Sequence, residues 1–225
     1  MTRAPRRAAS DEQTLTERAY THLEELIVTL RLPPGSAVSE QMLAERLGIG
    51  RTPIREALQR LARERLVTIL PRRGVMVSAI DVASQLRLLE VRREVERLVA
   101  KNAARRATDV ERRRFIALAD GFEATARTHN DTQFLRFDRE FNELCLQAAR
   151  NEFAATAMGL TNALSRRFWY VHYKQAADLP ETALLHANLA RAIGQGDERA
   201  AASALDRLLD KINAFTRASL DAAPQ

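Results

Sequence analysis

Lysine is missing from the first 80 residues, which carry 13 Arg against 9 acidic side chains. Cysteine occurs once, as Cys145. A disulfide within the chain and a cysteine cluster for zinc are therefore both excluded, which fits a reducing compartment. Aromatic residues make up only 5%, so a core has to be built mostly from Leu, Ala, Val and Ile. No apolar run approaches the roughly 18–20 residues that cross a bilayer. The basic N-terminus MTRAPRRAASDEQ has no apolar segment after it, unlike a secretory signal. No glycine loop that would cradle a phosphate is present, and no nucleophile stands beside a base in a recognisable pattern, so nothing supports an enzyme. These absences point to a cytoplasmic protein that is not embedded in a membrane.

The chain has 225 residues, 46% of them hydrophobic, enough for one large core or two small ones. Its formal charge is +6. Residues 1–80 contribute +4, and residues 81–225, with 22 basic and 20 acidic residues, only +2. The bias favours an anionic partner, and is also what a solvated basic surface would show. Residues 1–12 read as a disordered basic arm whose arginines can touch phosphates.

Residues 39–77 carry the strongest local signal. Leu15, Leu23, Leu26, Ile27 and Leu30 first set a helix over 14–30, which RLPPG at 31–35 stops. Ser39 suits the N-cap of a helix to Leu47, and Gly48 the position past its end. Thr52 followed by Pro53 predicts a further helix start, with the threonine hydroxyl as cap. That helix places Ile54, Leu58 and Leu61 on one face and ends near Arg65. Short strands at 67–70 and 75–77 then flank Pro71-Arg72-Arg73-Gly74 as a hairpin.

A helix held across another, with cations at its leading turn, fits the major groove of DNA. Only that turn reaches base edges. Arg51 and Arg55 there can grip guanine and phosphate, and Thr52 can donate to a base or a phosphate. Arg72 and Arg73 at the hairpin tip suit the DNA backbone or the minor groove. Gln41 and Arg46 on the preceding helix suit backbone contacts. Helix–turn–helix geometry alone also occurs in proteins that never touch DNA.

The run LRLPPGSAVSEQMLAERLGIGRTPIREALQRLARERLVTILPRRGVMVSAI resembles the winged helix of the GntR family of bacterial transcription regulators. The resemblance spans about 14–80. It implies that Arg51 and Arg55 are the main DNA contacts, that Thr52 supports them, and that Gly74 lets the wing backbone approach DNA. Gly50 replaces the family's usual Ser or Thr. Gln41 replaces an Arg that touches DNA in some members.

After Ile80 the texture becomes helical. Breaks at Asn130, Asn151, Pro180, Gly194 and Gly196 divide it into helices near 83–105, 109–127, 131–149, 152–174, 181–194 and 197–219. The expected architecture is mainly α. It has an N-terminal winged helix–turn–helix at 13–80 and an antiparallel bundle of about six helices at 81–225.

Polar residues on apolar helix faces are the informative positions in this half, because an unpaired buried polar group costs about 1–3 kcal/mol. Arg92 lies among Leu88, Val95 and Val99. Asp138 and Asn142 share a face with Phe134, Phe141 and Cys145, and His186 lies beside Leu189 and Ile193. Converging from three helices, they would suit a small polar anion, or equally an internal network without ligand. Trp169, Tyr170, His172 and Tyr173 would flank that place, or pack in a core or dimer contact.

LLEVRREVERLVAKNAA, FDREFNELCLQAARNEF and LLHANLARAIGQGDERAAASALDRLL resemble the ligand-binding domain of the FadR subgroup, over roughly 83–215. Many members bind a divalent metal through one Asp and three His, and the metal holds a carboxylate effector. Asp138 and His186 match two of these ligands, while Asn142 and Leu208 stand where the other histidines are expected. Ala201, Ala204, Leu205 and Ile212 around Leu208 read as a plain core stripe. Two matching ligands make a poor zinc site. The resemblance therefore implies no tight metal and no other cofactor, but a metal-free pocket with Arg92 as partner for a carboxylate.

The leading expectation is a homodimeric repressor that reads a short inverted-repeat operator in double-stranded DNA and responds to a small organic acid. The alternative is a constitutive DNA-binding protein whose helical half only dimerises.

Overall fold

In the computed structural model, residues 14–176 and 179–221 are described, the side chains of 172–176 and 219–221 excepted. The expected arm at 1–12 lies outside the described residues. The chain divides into two units, 1–79 and 80–225.

The first unit opens with α1 (Leu15–Val28). Thr14 caps it in a reciprocal box with Glu17, each side chain accepting a backbone N–H that the first turn leaves free. Leu23, Leu26 and Ile27 are buried as their spacing requires, but Leu15 is exposed. A two-residue strand, β1 (Ala37–Val38), follows. Next is α2 (Glu40–Leu47), capped by Ser39 and ended by Gly48 at φ +62. The third helix, α3 (Arg51–Arg63), buries Ile54, Ala57, Leu58 and Leu61 on one face. Burial of each leucine side chain contributes about 1.5–3 kcal/mol. The phenol of Tyr20 on α1 donates to Glu64 at 2.8 Å, and the Arg60 guanidinium lies over the Tyr20 ring, fastening α1 to α3.

The hairpin is β2 (Val67–Leu70) and β3 (Gly74–Val77), antiparallel with Val67 opposite Val77 and Leu70 opposite Gly74. The strand β1 adds to the free edge of β3, giving the order β1-β3-β2. Two residues give too short a run to show alternation, so β1 carries no sequence signal of its own. Arg72 sits at φ +60 in the turn after Pro71, where Arg73 N–H donates to Leu70 C=O at 3.0 Å.

The second unit is helical. It comprises α4 (Val82–Arg106), α5 (Asp109–Thr128), α6 (Asp131–Ala149), α7 (Glu152–Gly159), α8 (Asn162–Ala176), α9 (Leu179–Gln195) and α10 (Glu198–Asp221). Asp81, Thr108, Asn130 and Asn151 each accept an N–H at a helix start. The expected single helix over 152–174 is two. The Thr161 hydroxyl donates to Met158 C=O at 3.0 Å, and local bonding of this kind competes with the helical ladder just past Gly159.

The helix α9 packs tightly on α5. A methyl group placed on Gly194 would stand 2.8 Å from Ile116 Cδ1 and 3.0 Å from the Arg112 carbonyl. The bundle core centres on Phe115, Leu118, Phe122, Ile193 and Leu209. No helix among the described residues is long and apolar enough to cross a membrane.

Candidate DNA interface and ligand cavity

The leading turn of α3 differs from its expected form. The helix begins at Arg51, and Gly50 occupies the N-cap without a side-chain bond. Thr52 is therefore not the cap but a first-turn residue. Pro53 also falls within that turn, where a missing N–H breaks no helical bond. A glycine N-cap leaves the first-turn amides without a side-chain acceptor, and such amides favour an anion.

Arg51 and Arg55 are both more than half exposed, and both lean on Glu40, the first residue of α2. Arg55 Nε and Nη2 donate to the two Glu40 oxygens at 2.9 and 2.8 Å, while Arg51 Nη2 stands 3.9 Å away. This fork is the strong bidentate geometry of guanidinium and carboxylate. The hydrogen bond from Arg55 holds the Glu40 carboxyl below its ordinary value. The sequence reading missed Glu40, although a carboxylate 15 positions before Arg55 at a helix start was visible. Gln41 is exposed and donates to Glu45 at 3.1 Å.

Arg72, Arg73 and Gly74 are exposed at the hairpin tip. Gly74 has φ +92, and an added Cβ would stand 3.0 Å from Val38 O. The β1–β3 pairing thus demands glycine there, whatever the wing touches.

In the second unit, Arg92, Asp138, Asn142 and His186 do converge. Two neighbouring cavities share them, together with Asn162 and Ile212. His186 is nearly buried on α9. Its Nδ1 lies 2.8 Å from Thr182 C=O, an oxygen that can only accept, so Nδ1 carries a proton and donates. Its Nε2 stands 3.3 Å from Asp138 Oδ1. Asn142 Nδ2 donates to the same oxygen at 3.2 Å. Phe122 and Phe134 hold the imidazole, each with a ring centroid 5.2 Å away.

Burial by itself pushes the Asp138 carboxyl up. The hydrogen bond and charge of His186, with the charges of Arg166 and Arg92, outweigh it and hold the group below its ordinary value. Arg92 is not free to take a ligand alone, because it is paired with Glu96 one turn on.

Four aromatic side chains line the first cavity, Phe134 against Trp169 and Phe168 against Phe215. Trp169 takes the expected flanking place. Tyr170 is not among the lining residues, and the side chains of His172 and Tyr173 lie outside the described residues. Gln85, Asn162, Ser165, Arg166 and Thr182 also line this cavity and were missed. Asn162, Ser165, Arg166 and Trp169 recur at helical spacing. Of this stripe the sequence reading singled out only Trp169, although the spacing was visible.

A divalent metal is implied for this place by the subgroup resemblance, and the donors present do not fit one. Asn142 spends its amide N–H on Asp138, Asp138 faces His186 directly, and Leu208 is a buried hydrocarbon on the second cavity's wall. No group of three His, Cys, Asp or Glu side chains converges among the described residues. One carboxylate and one imidazole fall short of the three or four donors zinc takes.

The model for "Bacterial regulatory proteins, gntR family" matches residues 15–77, and that for "FCD domain" matches residues 87–211, more than half of the chain. An uncharacterized HTH-type transcriptional regulator in an unstable DNA locus of Streptomyces ambofaciens is 42% identical over 76 residues. That stretch is 34% of this chain and 32% of that protein. The HTH-type transcriptional repressor RspR of Escherichia coli K12 is 26% identical over 206 residues, 91% of this chain and 90% of that one. Among solved structures, E. coli McbR/YncC superposes with a TM-score of 0.76 at 18% identity, over 93% of this chain and all of that one. That likeness concerns the fold.

Proposed function

The chain belongs to the GntR family of helix–turn–helix transcriptional regulators, with an FCD domain behind the DNA-binding unit, and we propose that it is a cytoplasmic repressor governed by a small organic acid. In this reading it acts as a homodimer on a short inverted repeat in double-stranded DNA. The observation that carries the reading is the ring of Arg92, Asp138, Asn142, Asn162 and His186 around a cavity in the helical unit. A bundle that served only to dimerise would gain nothing from polar side chains on a hollow, since each must be kept satisfied.

In the DNA-binding unit, Arg51 and Arg55 meet base edges or phosphates, with Thr52 beside them. Arg72 and Arg73 follow the backbone on the wing, Gly74 shapes that wing, and Gln41 lies along a phosphate. The repressor sense follows RspR, whose name carries it. Dimerisation is supported by Val91 and Leu98, exposed two turns apart on one face of α4. An effector shifts DNA binding only through unequal affinity for two arrangements of the protein.

The alternative, a constitutive DNA-binding protein, draws support from the same ring. His186 and Asn142 both face Asp138, and Arg92 pairs with Glu96, so these four side chains of the ring already engage partners within the protein. Thermal-shift measurement against small carboxylates, with Arg92→Ala as control, separates the two. A ligand that raises the melting temperature of the wild type and not of the variant supports regulation. A flat response supports constitutive binding.

A further inference from the structure

The polar ring keeps both donors and acceptors open. Arg92 gives Nε to Glu96, and among the described residues no hydrogen bond engages its two terminal nitrogens. Asp138 meets Asn142 Nδ2 at 3.2 Å and His186 Nε2 at 3.3 Å, both on Oδ1. Among the described residues its Oδ2 accepts no hydrogen bond, and neither does Asn142 Oδ1. The side-chain amide of Asn162 is likewise without a hydrogen bond to any described residue. All four side chains line both cavities. Open donors on Arg92 and Asn162 therefore face the same hollow as open acceptors on Asp138 and Asn142.

A bare carboxylate answers only the donors. It would leave Asp138 Oδ2 and Asn142 Oδ1 as buried acceptors with no partner, which is unfavourable. A hydroxyl beside the carboxylate supplies one hydrogen for two open oxygens, whereas a protonated amine supplies three. Charge points the same way. Arg92 is matched by Glu96 and Asp138 by His186, and Arg166 is engaged as well. A ligand with a net charge would bring it out of water uncompensated, but a carboxylate and an ammonium on one molecule add none. The first cavity measures about 70 Å³, room for about five waters, so that molecule is small.

Resting on the organic-acid reading above, we propose that the ligand is a small zwitterionic amino acid. Its carboxylate lies against the terminal nitrogens of Arg92 and Nδ2 of Asn162. Its ammonium lies between Asp138 Oδ2 and Asn142 Oδ1, one turn apart on α6. Asparagine at 142 is then a determinant of specificity and not only a lost metal ligand.

The test is calorimetric titration of the full-length protein with matched probes. Glycine is set against glycolate and acetate, L-alanine against L-lactate and propionate, and L-serine against L-glycerate, with ethanolamine as an amine that lacks a carboxylate. In at least one set the amino acid is expected to bind about tenfold or more tightly than its partners, and ethanolamine is expected not to bind. Asn142→Leu, which removes the acceptor on α6, is expected to cut that preference by about tenfold. Asn142→Ala replaces it if the leucine variant does not fold. Hydroxy or unsubstituted acids that bind as tightly as the amino acids overturn the zwitterion and leave the organic-acid reading standing. Silence from every probe overturns both, and so does ethanolamine that binds as tightly as serine. A preference unchanged in the Asn142 variants places the ammonium elsewhere and also overturns the proposal.

Discussion

Nε2 of His186 stands 3.3 Å from Oδ1 of Asp138, while its Nδ1 is spent on the Thr182 carbonyl at 2.8 Å. Both ring nitrogens thus face oxygen. The Asp138 carboxyl is held low in the folded state by His186, with Arg166 and Arg92 behind it, against the upward push of burial.

A carboxyl whose folded value is depressed stabilises the fold above its unfolded value, and that contribution disappears as pH falls through the folded value. Asp138→Asn should therefore cost about 3–5 kcal/mol near neutral pH, as expected when one partner of a buried pair is removed. The gap between variant and wild type should close as pH falls below the ordinary aspartate value, about 3.9. Chemical denaturation across pH measures it. A gap that does not change with pH would refute the charge argument.

At the DNA interface, Arg55→Ala should weaken binding to a selected duplex by roughly ten- to a hundredfold and relax base preference. Glu40→Gln should do the opposite on random-sequence DNA. It removes a negative charge beside Arg51 and Arg55 and releases the fork on Arg55, so binding tightens and depends more steeply on salt. Fluorescence anisotropy over a salt series reads both effects. Equal behaviour of the two variants would show that the fork does not tune DNA contact.

On the wing, Arg72→Gly relieves a left-handed backbone angle that costs a residue with a side chain about 1–2 kcal/mol. The unit should melt later, yet bind DNA less well for loss of a cation. Gly74→Ala should destabilise by about 1–3 kcal/mol, because its angle and the Val38 carbonyl both oppose a Cβ. Thermal melts paired with anisotropy distinguish them. A wing variant that moves stability and DNA affinity together would argue against a contact by Arg72.

Restoring the absent ligands is a direct test of the altered pocket. Asn142→His with Leu208→His should create a divalent-metal site together with Asp138 and His186, since both positions line the second cavity with them. Zinc titration should saturate at one ion per chain in the double variant and show no comparable uptake in the wild type. Tight zinc in the wild type would overturn the donor-set argument.

Much of this molecule was readable from residues alone, and the failures have physical causes. Ser39 and Gly48 marked the ends of α2 because caps obey local chemistry. Arg92, Asp138, Asn142 and His186 were found because polar groups on apolar faces carry a cost that must be met. Thr52 was misread as a cap because proline is favoured at the first helical position and tolerated throughout the first turn, so it cannot fix the start to one residue. The break at Gly159–Thr161 was invisible because an isolated glycine also occurs inside helices. Asn162, Ser165 and Arg166 escaped notice for another reason, since polar residues at helical spacing read equally well as a solvated face. Glu40 escaped notice because its partner lies on another helix, and pairing across helices depends on tertiary geometry.

The close seam between α5 and α9 at Gly194 bears on how the cavity can vary. Any side chain at position 194 would have to displace Ile116 or the Arg112 carbonyl, and so would push α9 off α5. Because His186 and Thr182 ride on that same helix, a single methyl at the seam, far along α9, would be read out as a displaced cavity wall.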